Sequence, residues 1–173
     1  MPEPTKPVAP PGYRWTDLDT GGFYWETRGP RGGAKCTVTW VDKERVWSWY
    51  ADLPPAWSND RAAFAKATTR DAAVNACNSI VVAALGPDVG TADDLDPIYW
   101  ERRVGRGAAA MTAVVIVLDP AEAGAWSWYV ELPRAWRSGR TPTGRAVSRA
   151  GAITACEAIM AATRGAVRPP DDA

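Results

Sequence analysis

The residues of this chain that could do chemistry are cations, and they recur. The stretch LPPAWSNDRAAFAKATTRDAAVNAC (53–77) aligns without a gap on LPRAWRSGRTPTGRAVSRAGAITAC (132–156), so Arg61 answers Arg140, Lys66 answers Arg145 and Arg70 answers Arg149. These cations lead into the mouth of an expected helix, where the helix dipole disfavours positive charge. Such a place suits an anion instead, because the first backbone N–H groups of a helix lack internal partners. Arginine forks grip phosphate or carboxylate at two points, and a Trp face can stack a base. The chemistry suggested is recognition of a nucleotide, a phosphorylated small molecule or a nucleic-acid strand.

The second stretch is free of acids from Leu132 up to Glu157. Its candidate ligand-binding residues are Trp136, Arg137, Arg140, Arg145, Ser148 and Arg149. The first stretch offers Trp57, Arg61, Lys66, Thr69 and Arg70, diluted by Asp60 and Asp71. A second basic cluster falls in Gly-containing turns, Arg28 and Arg31 in one half and Arg103 and Arg106 in the other. Exposed backbone N–H groups in such turns can cradle anions. Each set has a competing structural reading. Arg stems cover Trp rings, loop cations pair with surface acids, and charged residues protect sheet edges.

Other chemistries are poorly served. There is no histidine, which removes Ser-His-Asp and Cys-His catalysis and imidazole metal ligands. The three cysteines, Cys36, Cys77 and Cys156, show no CxxC spacing, so neither zinc nor a disulfide framework is expected. Cys77 and Cys156 sit on apolar helical stripes and read as core. Glu26 and Glu101 each follow Tyr-Trp, and a carboxylate pair can hydrolyse glycosides. Matched acids lack the divergent environments that acid–base work needs, so each is expected to pair with an Arg on its own sheet. The chain is therefore expected to be no enzyme and to use no cofactor.

The elements that must position these residues also recur. Trp47 to Gly86 tracks Trp126 to Gly165 without insertion, and upstream the spacing shortens by four residues, so that Tyr24-Trp25-Glu26 aligns on Tyr99-Trp100-Glu101. Each copy reads as strand (GFYWETR or PIYWERR), Gly turn, strand (KCTVTWV or MTAVVIVL), turn, strand (VWSWYADL or AWSWYVEL), polar connector and helix. Period-two alternation puts Trp47 and Trp49 on one face and Ser48, Tyr50 and Asp52 on the other. Thr69 and Ser148 are the expected N-caps, with Gly86 and Gly165 as stops.

The predicted fold is thus α+β: two tandem β-β-β-α repeats, an antiparallel meander with one helix per repeat, related by a pseudo-twofold. Units at 12–90 and 91–166 are flanked by disordered tails at 1–11 and 167–173. The units are expected to pack together, a single continuous sheet being one arrangement. Strand Thr112–Leu118 is apolar on both faces and is expected to be covered on both, by the other repeat or by a homodimer partner.

With 173 residues, 46% hydrophobic and 23% charged, a folded chain is expected. A formal net charge of zero argues against a dedicated duplex-DNA binder. The Pro-rich start, MPEPTKPVAPPG, has no apolar core, and no run reaches membrane-spanning length, so a cytoplasmic location is expected. In plan, VWSWYADL followed by a helix resembles the AP2-type DNA-binding domains and, more loosely, the HicB-like antitoxin fold. The long LPPAWSND and LPRAWRSG connectors depart from the AP2 pattern, and no residue roles carry over.

Two functions follow from the residues. The first is non-enzymatic recognition of an anionic ligand through the basic helix-mouth loops. The second rests on the heavy Trp content, ten residues. It is an anti-defence type protein–protein inhibitor of a phage or mobile element, binding a host protein through exposed aromatics such as Tyr50 and Tyr129.

Overall fold

The computed structural model describes residues 7–10, 13–17, 23–27, 33–57, 62–85, 99–118, 126–137 and 140–164. In chain order the elements are β1 (Tyr13–Asp17), β2 (Phe23–Thr27), β3 (Lys35–Val41), β4 (Val46–Asp52), β5 (Ala63–Ala67), α1 (Arg70–Leu85), β6 (Tyr99–Val104), β7 (Met111–Val117), β8 (Trp126–Glu131), β9 (Thr143–Ala146) and α2 (Arg149–Arg164). The fold is α+β, with two antiparallel sheets, ordered β1-β2-β3-β4-β5 and β6-β7-β8-β9, and two helices. Among the described residues the two sheets are separate and share no strand.

The strands follow the period-two pattern. In β4, Trp49 and Ala51 are buried while Tyr50 and Asp52 face outward; in β8, Trp128 and Val130 are buried while Tyr129 and Glu131 face outward. Trp49 lies between Val38 and Ala65 in the ladder, and Trp128 between Val115 and Gly144. A Cβ on Gly144 would sit 2.6 Å from the Trp128 ring, so that strand position needs the missing side chain. Helix α1 packs on β3, β4 and β5, and also on α2 and β9; helix α2 packs on β7, β8 and β9, and also on β5. This two-sided cover explains why α1 buries so much of its circumference: Ala73, Val74, Ala76, Cys77, Ile80, Val81, Ala83 and Ala84.

The sheets differ from the sequence reading in two ways. First, the connectors are not simply polar loops. Each contains a 3-10 turn (Pro55–Trp57, Arg134–Trp136) and then a fourth strand, β5 or β9. Alternate small residues made these strands hard to see: Ala63, Ala65 and Ala67 are buried, as are Gly144 and Ala146, with no large apolar side chain to mark the period. Strand β1, with Trp15 buried, extends the first sheet further.

Second, the ladders do not pair the hairpins as the sequence alignment does. Val38 opposes Trp49 and also Phe23, whereas Val115 opposes Trp128 and also Trp100. Phe23, not Trp25, therefore stands in the column of Trp100, and Trp25 stands in the column of Arg102. A shift by two residues keeps every side chain on its face, so hydrophobic patterning did not penalise the misalignment.

The two halves meet through matched backbone hydrogen bonds. The Thr68 N–H donates to the Ala162 carbonyl at 3.1 Å, and the Val147 N–H donates to the Ala83 carbonyl at 2.8 Å. Small residues allow this approach: a Cβ on Gly151 would lie 3.2 Å from the Ala83 Cα. The predicted N-caps hold. Thr69 Oγ1 accepts from the Ala72 N–H and Ser148 Oγ from the Gly151 N–H, each at 3.1 Å. Gly86 and Gly165 lie outside the described residues. Thr112–Leu118 is expected to be covered on both faces, by the other repeat or by a homodimer partner; within the single chain one face has that cover. The helix packs on one face only, leaving Ile116 37% and Leu118 45% exposed.

Candidate functional site

The matched cations do not meet in one cavity of the described structure. On the outward face of β5, Lys66 forms an ion pair with Glu44 of the β3–β4 turn. Its Nζ also lies 3.5 Å from the Ala135 carbonyl, so it bridges to the 3-10 turn of the other half. Its counterpart Arg145 lies on β9 opposite Ser127. Arg70, at the start of α1, contacts the Asp71 carboxylate at 3.4 Å from two of its nitrogens. Arg149 is only 5% exposed, and its guanidinium reaches the Tyr99 carbonyl at 3.4 Å, tying α2 to β6. Burial lowers its pKa from the usual arginine value.

The remaining predicted ligands are similarly spread. Trp57 and Trp136 lie in the 3-10 turns, half-buried against the core. Arg137 is exposed, but its Nε donates to the Leu132 carbonyl at 2.8 Å, closing its own turn. Arg140 is exposed. Thr69 and Ser148 each use a hydroxyl oxygen to cap a helix. Arg28, Arg31 and Arg61 lie outside the described residues. Arg103 donates from Nε to Glu101 at 2.7 Å, and Arg106 is exposed in the β6–β7 turn.

Glu101 thus pairs with an Arg of its own strand, as expected of it. The Tyr99 hydroxyl donates to its other oxygen. That hydrogen bond, and then Arg103, holds the Glu101 carboxyl below its ordinary pKa; the same bond raises the Tyr99 phenol. Cys36, Cys77 and Cys156 are all buried. Burial first, then the neighbouring Cys77, pushes the Cys36 thiol well up, and burial does the same to Cys156. Buried thiols with raised pKa are inert core residues rather than nucleophiles. Among the described residues no group of three or more Cys, Asp or Glu is arranged to hold a metal. No helix of the described chain is long and apolar enough to cross a membrane.

What the structure does bring together is apolar. On the face of the second sheet turned away from the helices, Tyr99 opposes Ile116, and Val114 opposes Tyr129, with Leu118 just beyond β7. Tyr99 is 39%, Ile116 37%, Tyr129 40% and Leu118 45% exposed. Glu101, Arg103, Glu131 and Arg145 stand around them as a polar rim. The first sheet's corresponding face is more polar, with Thr37, Thr39, Ser48 and Lys66 beside Tyr50, whose ring stacks on Phe64 at 6.5 Å. Tyr129 was foreseen as a surface aromatic. Ile116 and Leu118, which the two-faced apolar strand MTAVVIVL marks for cover, are exposed within the single chain.

Among the described residues, cavities flank the helices. One, of about 210 Å³, is lined by Arg102, Val104, Glu157, Met160 and Ala161, between β6 and α2. Another, of about 420 Å³, is lined by Pro7, Val8, Arg70, Asp71 and residues of α1. There Asn78 donates from its side-chain amide to the Val8 carbonyl at 2.8 Å. No protein-family model matches the chain, and no curated protein or solved structure is significantly similar to it.

Proposed function

We propose that the chain is a non-enzymatic protein-binding module that docks through the outward face of its second sheet. The observation that carries this reading is the patch of Tyr99, Ile116, Tyr129 and Leu118, exposed together inside a polar rim. Contiguous apolar surface of this kind marks interaction sites, and aromatic anchors within a polar rim are the usual source of binding energy. The role that suits a chain with such an adhesive face is an inhibitor that covers a host protein, as phage and mobile-element proteins do. We further propose that the scaffold is a tandem duplication with a pseudo-twofold relation. The exchange of hydrogen bonds between Thr68 and Ala162 and between Val147 and Ala83 supports it, since isologous contacts come in such pairs.

Recognition of an anion is the second reading. It is supported by Arg134, Arg137 and Arg140, exposed along one stretch beside Trp136. Co-purification from host lysate separates the two. With the wild-type chain a protein partner is expected at both low and high salt, and the Ile116→Glu/Tyr129→Glu variant should lose it. If recovery is instead untouched by that variant but abolished by salt, by nuclease or by Arg137→Ala/Arg140→Ala, the anion reading replaces the apolar-face reading. Sedimentation of the pure chain tests whether the same face serves a homodimer.

A further inference from the structure

The first half of the chain carries a buried thiol that the second half replaces with hydrocarbon. In β3, Cys36 lies opposite Ala51; at the matching place in the second sheet, Ala113 lies opposite Val130. On the helices the thiols are matched, Cys77 on α1 and Cys156 on α2. The second half thus fills the space beneath its helical cysteine by moving bulk from one strand to the next, Ala and Val standing for Cys and Ala. Packing alone therefore does not call for sulfur at position 36.

The two thiols of the first half meet. Helix α1 packs on both β3 and β4. The Cys77 thiol donates to the Tyr50 carbonyl at 3.7 Å, and the next residue, Ala51, is the ladder partner of Cys36. There the Cys36 and Cys77 thiols are in hydrogen-bond contact with each other. Sulfur atoms in such contact are within reach of the geometry a disulfide needs.

We infer that Cys36 and Cys77 form a disulfide site that is set while the chain folds, with a low-molecular-weight disulfide such as oxidised glutathione as the oxidant. In the open chain the Cys77 thiol loses its proton and the thiolate attacks one sulfur of the oxidant. A mixed disulfide forms, and the displaced thiolate of the oxidant takes up the proton. The Cys36 thiolate then attacks Cys77 Sγ. This closes the Cys36–Cys77 bond and displaces the second thiolate, which takes up the Cys36 proton. Two protein thiols are oxidised and the oxidant's disulfide is reduced to two thiols. Folding seals whichever state was reached, because both cysteines are fully buried and burial keeps the Cys36 thiol protonated. The bond ties β3 to α1 across a long stretch of chain, the situation in which a cross-link stabilises most. It does not involve the outward face of the second sheet and does not rest on the docking reading.

The test is to refold the reduced, urea-unfolded full chain in a glutathione redox buffer, then to read intact mass and a non-reducing peptide map. Loss of two hydrogens is expected, with the Cys36 and Cys77 peptides joined and Cys156 left to be alkylated. The melting temperature should rise by about 5–15 °C over that of the reduced chain. Oxidised glutathione added to the chain already folded and reduced should form the bond about tenfold more slowly or worse, since it must await opening. Cys36→Ala, which copies Ala113, should abolish the link and make the melting temperature indifferent to the buffer. Cys156→Ala should form the link as the wild type does, and decides the matter should Cys36→Ala fold poorly. Three free thiols after refolding, or a link that includes Cys156, would overturn the inference. So would a melting temperature unmoved by the link, or oxidation of the folded chain as fast as of the refolding one.

Discussion

Arg149 shows why residue type and spacing alone misplace a charge. At the mouth of α2 it looks like an anion ligand, yet it is 5% exposed and its guanidinium meets the Tyr99 carbonyl. That carbonyl gives the buried guanidinium a hydrogen-bond acceptor within the fold. Lys66 and Arg70 likewise find carboxylates, at Glu44 and Asp71. Asp71 is the next residue in the chain, but Glu44 comes from a turn 22 residues away and nothing in the linear pattern marks it as a partner. The Tyr99–Glu101–Arg103 row makes a residue-scale prediction. The folded Glu101 pKa lies below its usual 4.5, so whatever stability the row contributes is present above that value and is lost as pH falls through the lowered one. Tyr99→Phe removes the largest single cause, the phenol hydrogen bond. A carboxyl-detected NMR titration should show the Glu101 midpoint moving up towards 4.5; an unmoved midpoint would mean that the phenol does not hold the carboxylate.

At the scale of elements, the strands and helices were readable where large apolar residues mark the period and unreadable where small ones do. VWSWYAD and WSWYVE alternate plainly and form β4 and β8. AFAKA and TGRA carry the same alternation in Ala and Gly, and it went unseen as β5 and β9. Their smallness has a physical purpose, since each lies beside a fully buried Trp. Gly144→Ala should therefore destabilise the protein by about 1–3 kcal/mol, the usual cost of overpacking a filled core, measured as a lowered urea midpoint at unchanged slope. An unchanged midpoint would show that the Trp128 ring can shift at no cost. The matched position on β5 already carries Ala65, and Trp49 accommodates it.

At the scale of the whole molecule, each helix serves both sheets. Helix α1 touches β9 as well as its own sheet, and α2 touches β5. With the paired hydrogen bonds at Thr68 and Val147, neither half can open without exposing the other's core. Urea unfolding followed by Trp fluorescence and by far-UV circular dichroism should accordingly give one coincident transition. Two separated transitions would mean that the halves are independent. The same arrangement turns one sheet face outward on each side, so apolar residues that two-sided burial would have explained are left at the surface of β7.

The sequence by itself determined what depends on neighbours along the chain: the mixed α and β content, the large-residue strands, the N-caps at Thr69 and Ser148, the core cysteines, and the lack of imidazole chemistry. Local periodicity and capping are short-range, so a linear reading captures them. Only the tertiary structure decided which cations found partners, that the described strands form two sheets rather than one, and that Trp100 stands with Phe23 rather than Trp25. Each of these turns on contacts between residues far apart in the chain. A two-residue slip in register leaves every local pattern unchanged.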